Sequence, residues 1–213
     1  GTVISWRMTL FPIYLTVVPL FHCNGWNHTW MIPALGGTVV CCRDVTPKAV
    51  YNAIANEGVG YLGAAPIVLN MLVNAPDSDR LEFEGAVQVY TAGAPPAPAT
   101  LAAIEKLGFN VTHVYGLTET YGHVTECIWD GDAFDSLPAD IKTAKKARQG
   151  VAFPMMEEVT VVDEANKQVA MDGTTQGEIV MRGNAVMKGY FKNPEATEKA
   201  FSGGYVHSED LAM

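Results

Sequence analysis

The stretch Val111–Thr120, VTHVYGLTET, gathers most of the chemistry visible in this chain. A β-branched run leads to Gly116, and hydroxyls and one carboxylate follow at once. Tyr115 offers an aromatic face, Thr118 a hydroxyl for a phosphate oxygen, and Glu119 a hard oxygen ligand for Mg²⁺. Taken alone, the same residues also make a capping arrangement for a short helix. A second candidate is Gly93-Ala94-Pro95-Pro96, which follows the strand-like AVQVYT at residues 86–91. Ligands of open α/β sheets bind outside the carboxyl ends of strands, where both segments would lie. Small residues there let a flat ring approach the backbone, although an ordinary strand-to-helix loop has the same composition. A third candidate is Ser208-Glu209-Asp210, either a carboxylate for vicinal hydroxyls or an acidic surface turn.

Other patterns fail on context. Residues 58–63, GVGYLG, match GxGxxG, but a capped helix precedes them and a strand follows. A dinucleotide site needs the reverse order, so that a helix N-terminus meets the pyrophosphate. None of the five histidines sits in HExxH, and His22 with Cys23 is a lone soft pair. No GxSxG elbow is present, which argues against an α/β serine hydrolase.

The elements that must position these residues alternate. Strands are expected over residues 14–21, 38–42, 61–64, 86–91 and 109–114. Helices are expected over 26–35, from the Thr46-Pro47 cap to Gly58, over 66–73 and over 99–107. Such alternation predicts an α/β fold with a largely parallel sheet. The texture changes after Asp130. Residues 130–149 read as polar and irregular, and strands at 157–162 and 178–182 are joined through turn-rich stretches. A small antiparallel β subdomain is therefore expected from residue 150, giving portions 1–149 and 150–213. Asn193-Pro194 is expected to cap a short helix.

Composition bounds the function classes. With 213 residues, 48% hydrophobic and 17% charged, the chain can bury a sizeable core and is not of disordered type. Its net charge of −9 and the lack of a basic patch argue against nucleic acid as a partner. The densest basic run, Lys142–Arg148, reads as the polar face of a solvated helix. Four cysteines without a CxxC pair fit free thiols in a reducing compartment, so a cytoplasmic location is expected. The apolar run at residues 10–21 is interrupted by Pro12 and Pro19 and is too short to span a bilayer. The opening Gly1-Thr2-Val3 reads as the interior of a longer protein.

Taken in order, six phrases resemble the adenylate-forming superfamily of acyl-CoA synthetases, peptide-synthetase adenylation domains and luciferases. They are PLFHCNGW (19–26), TAGAPP (91–96), YGLTET (115–120), QGEIVMRG (176–183), MKGYFKNPEAT (187–197) and YVHSEDLA (205–212). The first, with AAPIVLNML (64–72), most resembles short- to medium-chain acyl-CoA ligases, including the methylmercaptopropionate-CoA ligase type. The resemblance implies a layered αβα N-terminal domain and a two-step reaction. A carboxylate attacks the α-phosphate of ATP to give acyl-AMP and pyrophosphate, and the thiol of coenzyme A then displaces AMP. Such a displacement depends chiefly on positioning and charge neutralisation.

By resemblance, Gly93, Ala94 and Pro95 line one side of adenine and Tyr115 stacks on the other. Thr118 touches the α-phosphate, Glu119 holds Mg²⁺ and Asp210 binds the ribose hydroxyls. His22 borders the acyl-adenylate, and His22, Trp26 and Gly116 shape an acyl pocket in which the bulk of Trp26 favours short chains. The partners implied are a small carboxylic acid, ATP and coenzyme A, with a homodimer carried forward as the assembly. The family usually has Gly before the ribose-binding Asp; Glu209 stands there instead, and its charge and restricted φ are expected to weaken nucleotide binding. An adenylation domain loading a carrier protein is the alternative within the superfamily, and a non-catalytic nucleotide-binding module is the alternative outside it. By resemblance the phosphate loop lies before Gly1, and the C-terminal domain with its adenylation lysine lies after Met213. The isolated 213 residues are therefore expected to give negligible turnover, and steady formation of a CoA ester in a thioester assay would overturn that.

Overall fold

The computed structural model describes the backbone of residues 1–213 and every side chain except that of Asp132. In chain order the elements are α1 (Thr2–Ser5), β1 (Ile13–Thr16), α2 (Cys23–Ala34), β2 (Thr38–Cys41), α3 (Pro47–Glu57), β3 (Tyr61–Ala64), α4 (Pro66–Val73) and β4 (Val87–Thr91). They continue with α5 (Pro98–Glu105), β5 (Phe109–Leu117), β6 (Gly122–Glu126), α6 (Gly131–Phe134), α7 (Ala139–Lys146), β7 (Val151–Ala152), β8 (Met156–Val162), β9 (Gly177–Gly183), α8 (Pro194–Ala200) and β10 (Val206–Ala212). The chain divides into two compact units. The larger comprises Thr2–Tyr115 and Glu126–Val151, and the smaller comprises Gly1, Gly116–Thr125 and Ala152–Met213.

Proline and glycine set many of the boundaries. Helix α3 begins at Pro47 behind Thr46, whose hydroxyl accepts the Ala49 N–H at 3.2 Å, and ends at Gly58 with φ 69°. Helices α4, α5 and α8 likewise open on proline, which sacrifices no intrahelical bond at that position. The strand expected over 14–21 stops at Thr16, before Pro19, which has no N–H for a ladder. Residues 130–149, expected to be irregular, contain α6 and α7. Helix α7 buries no residue, and Lys145 and Lys146 in its last turn complement the helix dipole.

In the larger unit the strands lie in the order β2-β1-β3-β4-β5, and every pair is parallel. Alternate residues of each strand therefore face opposite layers. Leu15, Leu62, Val89 and Val111 join Val50, Ile54, Leu69, Leu72, Leu101 and Ile104 from α3, α4 and α5 in one core. Tyr14, Tyr90 and Val114 join Trp6 and Ile32 in a second cluster that includes α2 residues. Leu62, Leu69, Leu72 and Ile104 are fully buried, each worth about 1.5–3 kcal/mol of transfer free energy. This is the expected α/β layering with helices on both faces of a parallel sheet.

The smaller unit holds an antiparallel sheet of order β10-β9-β8, the expected β-rich element. Its buried residues include Val162 and Val180 on one face and Met181 and Val206 on the other. The turn after β8 is closed by Asp163, whose carboxylate accepts the N–H groups of Ala165 and Lys167, both at 2.9 Å. The turn before β9 is closed by Asp172, which accepts from Thr174 and Thr175; those donors hold its carboxyl well below the usual range.

Gly116 in this unit has no freedom to carry a side chain. A Cβ there would lie 1.9 Å from the Gly122 carbonyl oxygen and 2.6 Å from His123 Cα. Both obstacles are backbone, so no rotamer change relieves them. Gly116→Ala is expected to destabilise the protein by about 3 kcal/mol or more, read from the midpoint of urea unfolding.

Candidate functional site

In the larger unit the geometry starts from β4 and β5. Their parallel register runs from Val87↔Phe109 to Thr91↔His113. Two residues past that last pair stand Gly93 and Tyr115, so both belong to the carboxyl edge of the sheet. Gly93 has φ 90°, and a Cβ there would meet nothing within 4 Å. Its need for glycine is therefore conformational, and the space above it is open. Ala94 and Pro95 are exposed, while Pro96 is buried and anchors the loop. The loop rises from Thr91, which is fully buried.

His22 and Trp26 stand at the start of α2, which leaves the carboxyl end of β1 on that same edge. His22 is the N-cap residue; it is exposed, and its ring lies 4.5 Å from Phe21. Trp26 follows one turn later, 51% exposed and edge-on to Trp30 at 5.6 Å. What holds this helix start is a network that sequence reasoning missed. The Tyr14 hydroxyl donates to Asn24 Oδ1 at 2.9 Å and accepts the Gly63 N–H at 2.9 Å. His28 Nδ1 lies 2.7 Å from the Asn24 carbonyl, and its ring stacks on Tyr14 with centroids 4.2 Å apart. Burial drives the Tyr14 hydroxyl well above its ordinary range, so it remains a neutral donor. A side chain at Gly63 would meet Asn24 at 2.3 Å, so glycine on β3 admits the helix.

In the smaller unit Gly116, Thr118 and Glu119 are gathered in one turn, with residues 118–120 forming a single 3₁₀ turn. The fully buried Thr120 closes it: its hydroxyl accepts the Leu117 N–H at 3.0 Å and has the carbonyls of Leu117 and Gly122 within 3.0 Å. The capping reading of YGLTET thus applies to Thr120. It leaves Thr118 exposed and Glu119 half-exposed. The Met187 N–H donates to the Glu119 carbonyl at 2.7 Å, and the Tyr190 hydroxyl donates to Glu119 Oε1 at 3.0 Å. That bond to a carboxylate raises the Tyr190 pKa. Tyr190 lay in a recognised phrase, MKGYFKNPEAT, but nothing in its sequence context pointed to Glu119.

Asp210 lies exposed in β10 of the same unit. It follows Glu209, whose φ of 60° is left-handed, at the place where β10 slips register against β9 between His207 and Leu211. The expected surface turn is thus a bulge inside a strand. Such a φ costs a non-glycine residue about 1–2 kcal/mol.

The residues present constrain any metal. Among the described residues no group of three or more His, Cys, Asp and Glu side chains could hold an ion. Glu119 alone supplies one carboxylate, with one oxygen already accepting from Tyr190. That set fits Mg²⁺ only as an ion bound jointly with phosphate oxygens and water, a common mode for Mg²⁺. No helix among the described residues is long and apolar enough to cross a membrane.

Comparison with known proteins bears on the family and the fold. Over 212 residues the chain is 50% identical to the acetate–CoA ligase CCL3 of Humulus lupulus, covering 99% of this chain and 37% of that protein. It is 49% identical over 210 residues to the peroxisomal acetate/butyrate–CoA ligase AAE7 of Arabidopsis thaliana, covering 98% and 37%. The chain thus spans well under half the length of the curated relatives it matches. Among solved structures, the N-terminal domain of FACL13 from Mycobacterium tuberculosis superposes with a TM-score of 0.81 at 23% identity, covering 99% of this chain and 50% of that one. The o-succinylbenzoate coenzyme A synthetase of Bacillus subtilis, solved with ATP and magnesium ion, gives 0.78 at 23% identity, with 99% and 41% covered. These likenesses establish the fold as that of an acyl-CoA synthetase N-terminal domain. Residues 2–191 match the profile of the family described as AMP-binding enzyme, and the chain belongs to that family.

Proposed function

We propose that the intact protein is an AMP-forming acid–thiol ligase that activates a short- or medium-chain carboxylic acid with ATP and passes the acyl group to coenzyme A. The observation that carries this reading is 50% identity, along 99% of this chain, to a protein named as an acetate–CoA ligase. Further relatives are named for butyrate and 2-methylpropanoate, which supports a short acyl chain.

The residues act by holding and orienting. Gly93, Ala94 and Pro95 offer a low, open wall beside Tyr115 for a purine ring. Thr118, exposed at the start of its turn, would donate its hydroxyl to the α-phosphate. Glu119 would hold Mg²⁺ through the carboxylate oxygen that Tyr190 does not engage. When bound with ATP, that ion would neutralise phosphate charge during in-line attack by the acid. Asp210 would accept hydrogen bonds from the ribose hydroxyls, as a carboxylate does from vicinal donors. His22 and Trp26 would border the acyl group, with Trp26 limiting its length.

Location and assembly belong to the same proposal. The cysteines fit a reducing cytoplasm, whereas AAE7 is named as peroxisomal. Imaging of the tagged intact protein separates those compartments, and its mass in solution tests the homodimer.

In the intact protein Glu119→Ala is expected to lower acid-dependent ATP–pyrophosphate exchange by on the order of 10²-fold. A near-normal rate would remove Glu119 from metal binding. Tyr190→Phe is expected to raise the Mg²⁺ concentration for half-maximal exchange several-fold with little change in Tm, because it loosens a carboxylate without opening a core.

A further inference from the structure

The left-handed backbone of Glu209 needs a physical cause. A residue with a Cβ stays in that region only when its surroundings over-determine it. Two side chains reach it. The Glu209 N–H donates to Glu178 Oε1 at 2.8 Å, and Lys199 Nζ donates to Glu209 Oε1 at 3.1 Å. The Lys199–Glu209 pair is 80% and 78% exposed, so solvent screens it and it holds little. Glu178 is different: its side chain is 28% exposed and it projects from the neighbouring strand β9. Its second oxygen lies 2.8 Å from His207 Nδ1, and His207 Nε2 lies 3.2 Å from the Ser202 carbonyl. Burial opposes the charge on Glu178, yet the donors from His207 and Glu209 outweigh it and hold the carboxyl below its usual range. A fixed carboxylate thus grips the backbone at one corner of the bulge. The far corner is gripped by Ser208, whose hydroxyl donates to the Ile179 carbonyl at 2.7 Å and accepts the Asp210 N–H at 3.0 Å.

We propose that Glu178 is a positioning residue for Asp210: by anchoring the Glu209 N–H it keeps the bulge of β10 in the single backbone geometry that presents the Asp210 carboxylate to a nucleotide. The proposal rests on the reading of Asp210 as the ribose ligand. Bulges commonly re-aim a side chain beside a site, and this one is enforced from the adjacent strand. Glu178 touches no substrate; it acts through the backbone of residue 209.

The test is a cycle in the intact protein, read as KM for ATP and kcat in pyrophosphate exchange. Asp210→Ala is the control and is expected to raise KM for ATP at least tenfold. Glu178→Ala is expected to raise it about fivefold, with kcat at saturating ATP within about twofold. Glu178→Gln, which keeps an acceptor for the Glu209 N–H, is expected to restore most of the loss. The deciding variant is Glu209→Gly, because glycine adopts φ near 60° unaided. In that background Glu178→Ala is expected to change KM by less than about twofold. An equal rise in both backgrounds would overturn the proposal, since Glu178 would then act by some route other than the backbone of residue 209. A normal KM in Glu178→Ala beside a raised KM in Asp210→Ala would also overturn it. A normal KM in Asp210→Ala would instead overturn the ribose reading. Should Glu178→Ala not fold, AMP binding by calorimetry on Glu178→Gln and Lys199→Ala decides: wild-type affinity in Glu178→Gln is expected, and a larger loss there than in Lys199→Ala would count against Glu178.

Discussion

A parallel pair of strands cannot be closed by a tight turn. Each connection must cross the length of the sheet, usually through a helix, and so every carboxyl end falls on one edge. In the larger unit β1 to β5 obey this throughout, and the loop after each strand opens on that edge. Gly93–Pro95, Tyr115 and the start of α2 with His22 and Trp26 share one edge for this reason, though up to 93 positions apart in the chain. The two packed layers do the holding. Leu15 and Tyr14 are adjacent residues, yet one belongs to the α3–α5 core and the other to the Trp6–His28 stack. A strand gripped from both faces is rigid, and the loops can stay open without loosening the sheet.

The smaller unit solves a different problem. The two carboxylates proposed to act there, Glu119 and Asp210, sit on a tight turn and a bulge, not on a regular strand. Such segments lack the repeating ladder that fixes a strand, so each is tied by bonds from elsewhere in the unit. Glu119 is tied twice by the stretch before α8, at its carbonyl by Met187 and at its carboxylate by Tyr190. The bulge before Asp210 is tied by Glu178 and Ser208. In both cases a neighbouring element supplies the rigidity that local backbone geometry lacks.

These differences explain what could be read in the sequence. The larger unit was legible because its signals are local. Pro47, Pro66, Gly58 and Gly108 mark ends, and β-branched runs mark the strands between them. The strand Tyr61–Ala64 and the helix Pro66–Val73 were read to the residue. Of helix α7 only the basic run Lys142–Arg148 was legible as a solvated helical face, and its start was not, because α7 buries no residue; it meets α5 through contacts that include the Lys146–Glu105 ion pair. The site was legible as phrases but not as contacts. Nothing near Tyr190 in sequence points to Glu119, 71 positions away. The grip of Glu178 on Glu209 is likewise a cross-strand relation, set by a register slip no local pattern encodes.

The weak metal donor set at Glu119 has a chemical consequence. A site with several carboxylates would hold Mg²⁺ tightly in the absence of nucleotide and would carry that charge into every later step. A single carboxylate, half-exposed and already accepting one hydrogen bond, offers too little to strip water from Mg²⁺, which dehydrates reluctantly. If Glu119 holds Mg²⁺ as proposed, it would do so only together with phosphate oxygens and water, so the ion would be bound with the polyphosphate whose charge it would offset. The part left to the chain itself is to fix one carboxylate oxygen in place, which the bond from Tyr190 to the other oxygen does.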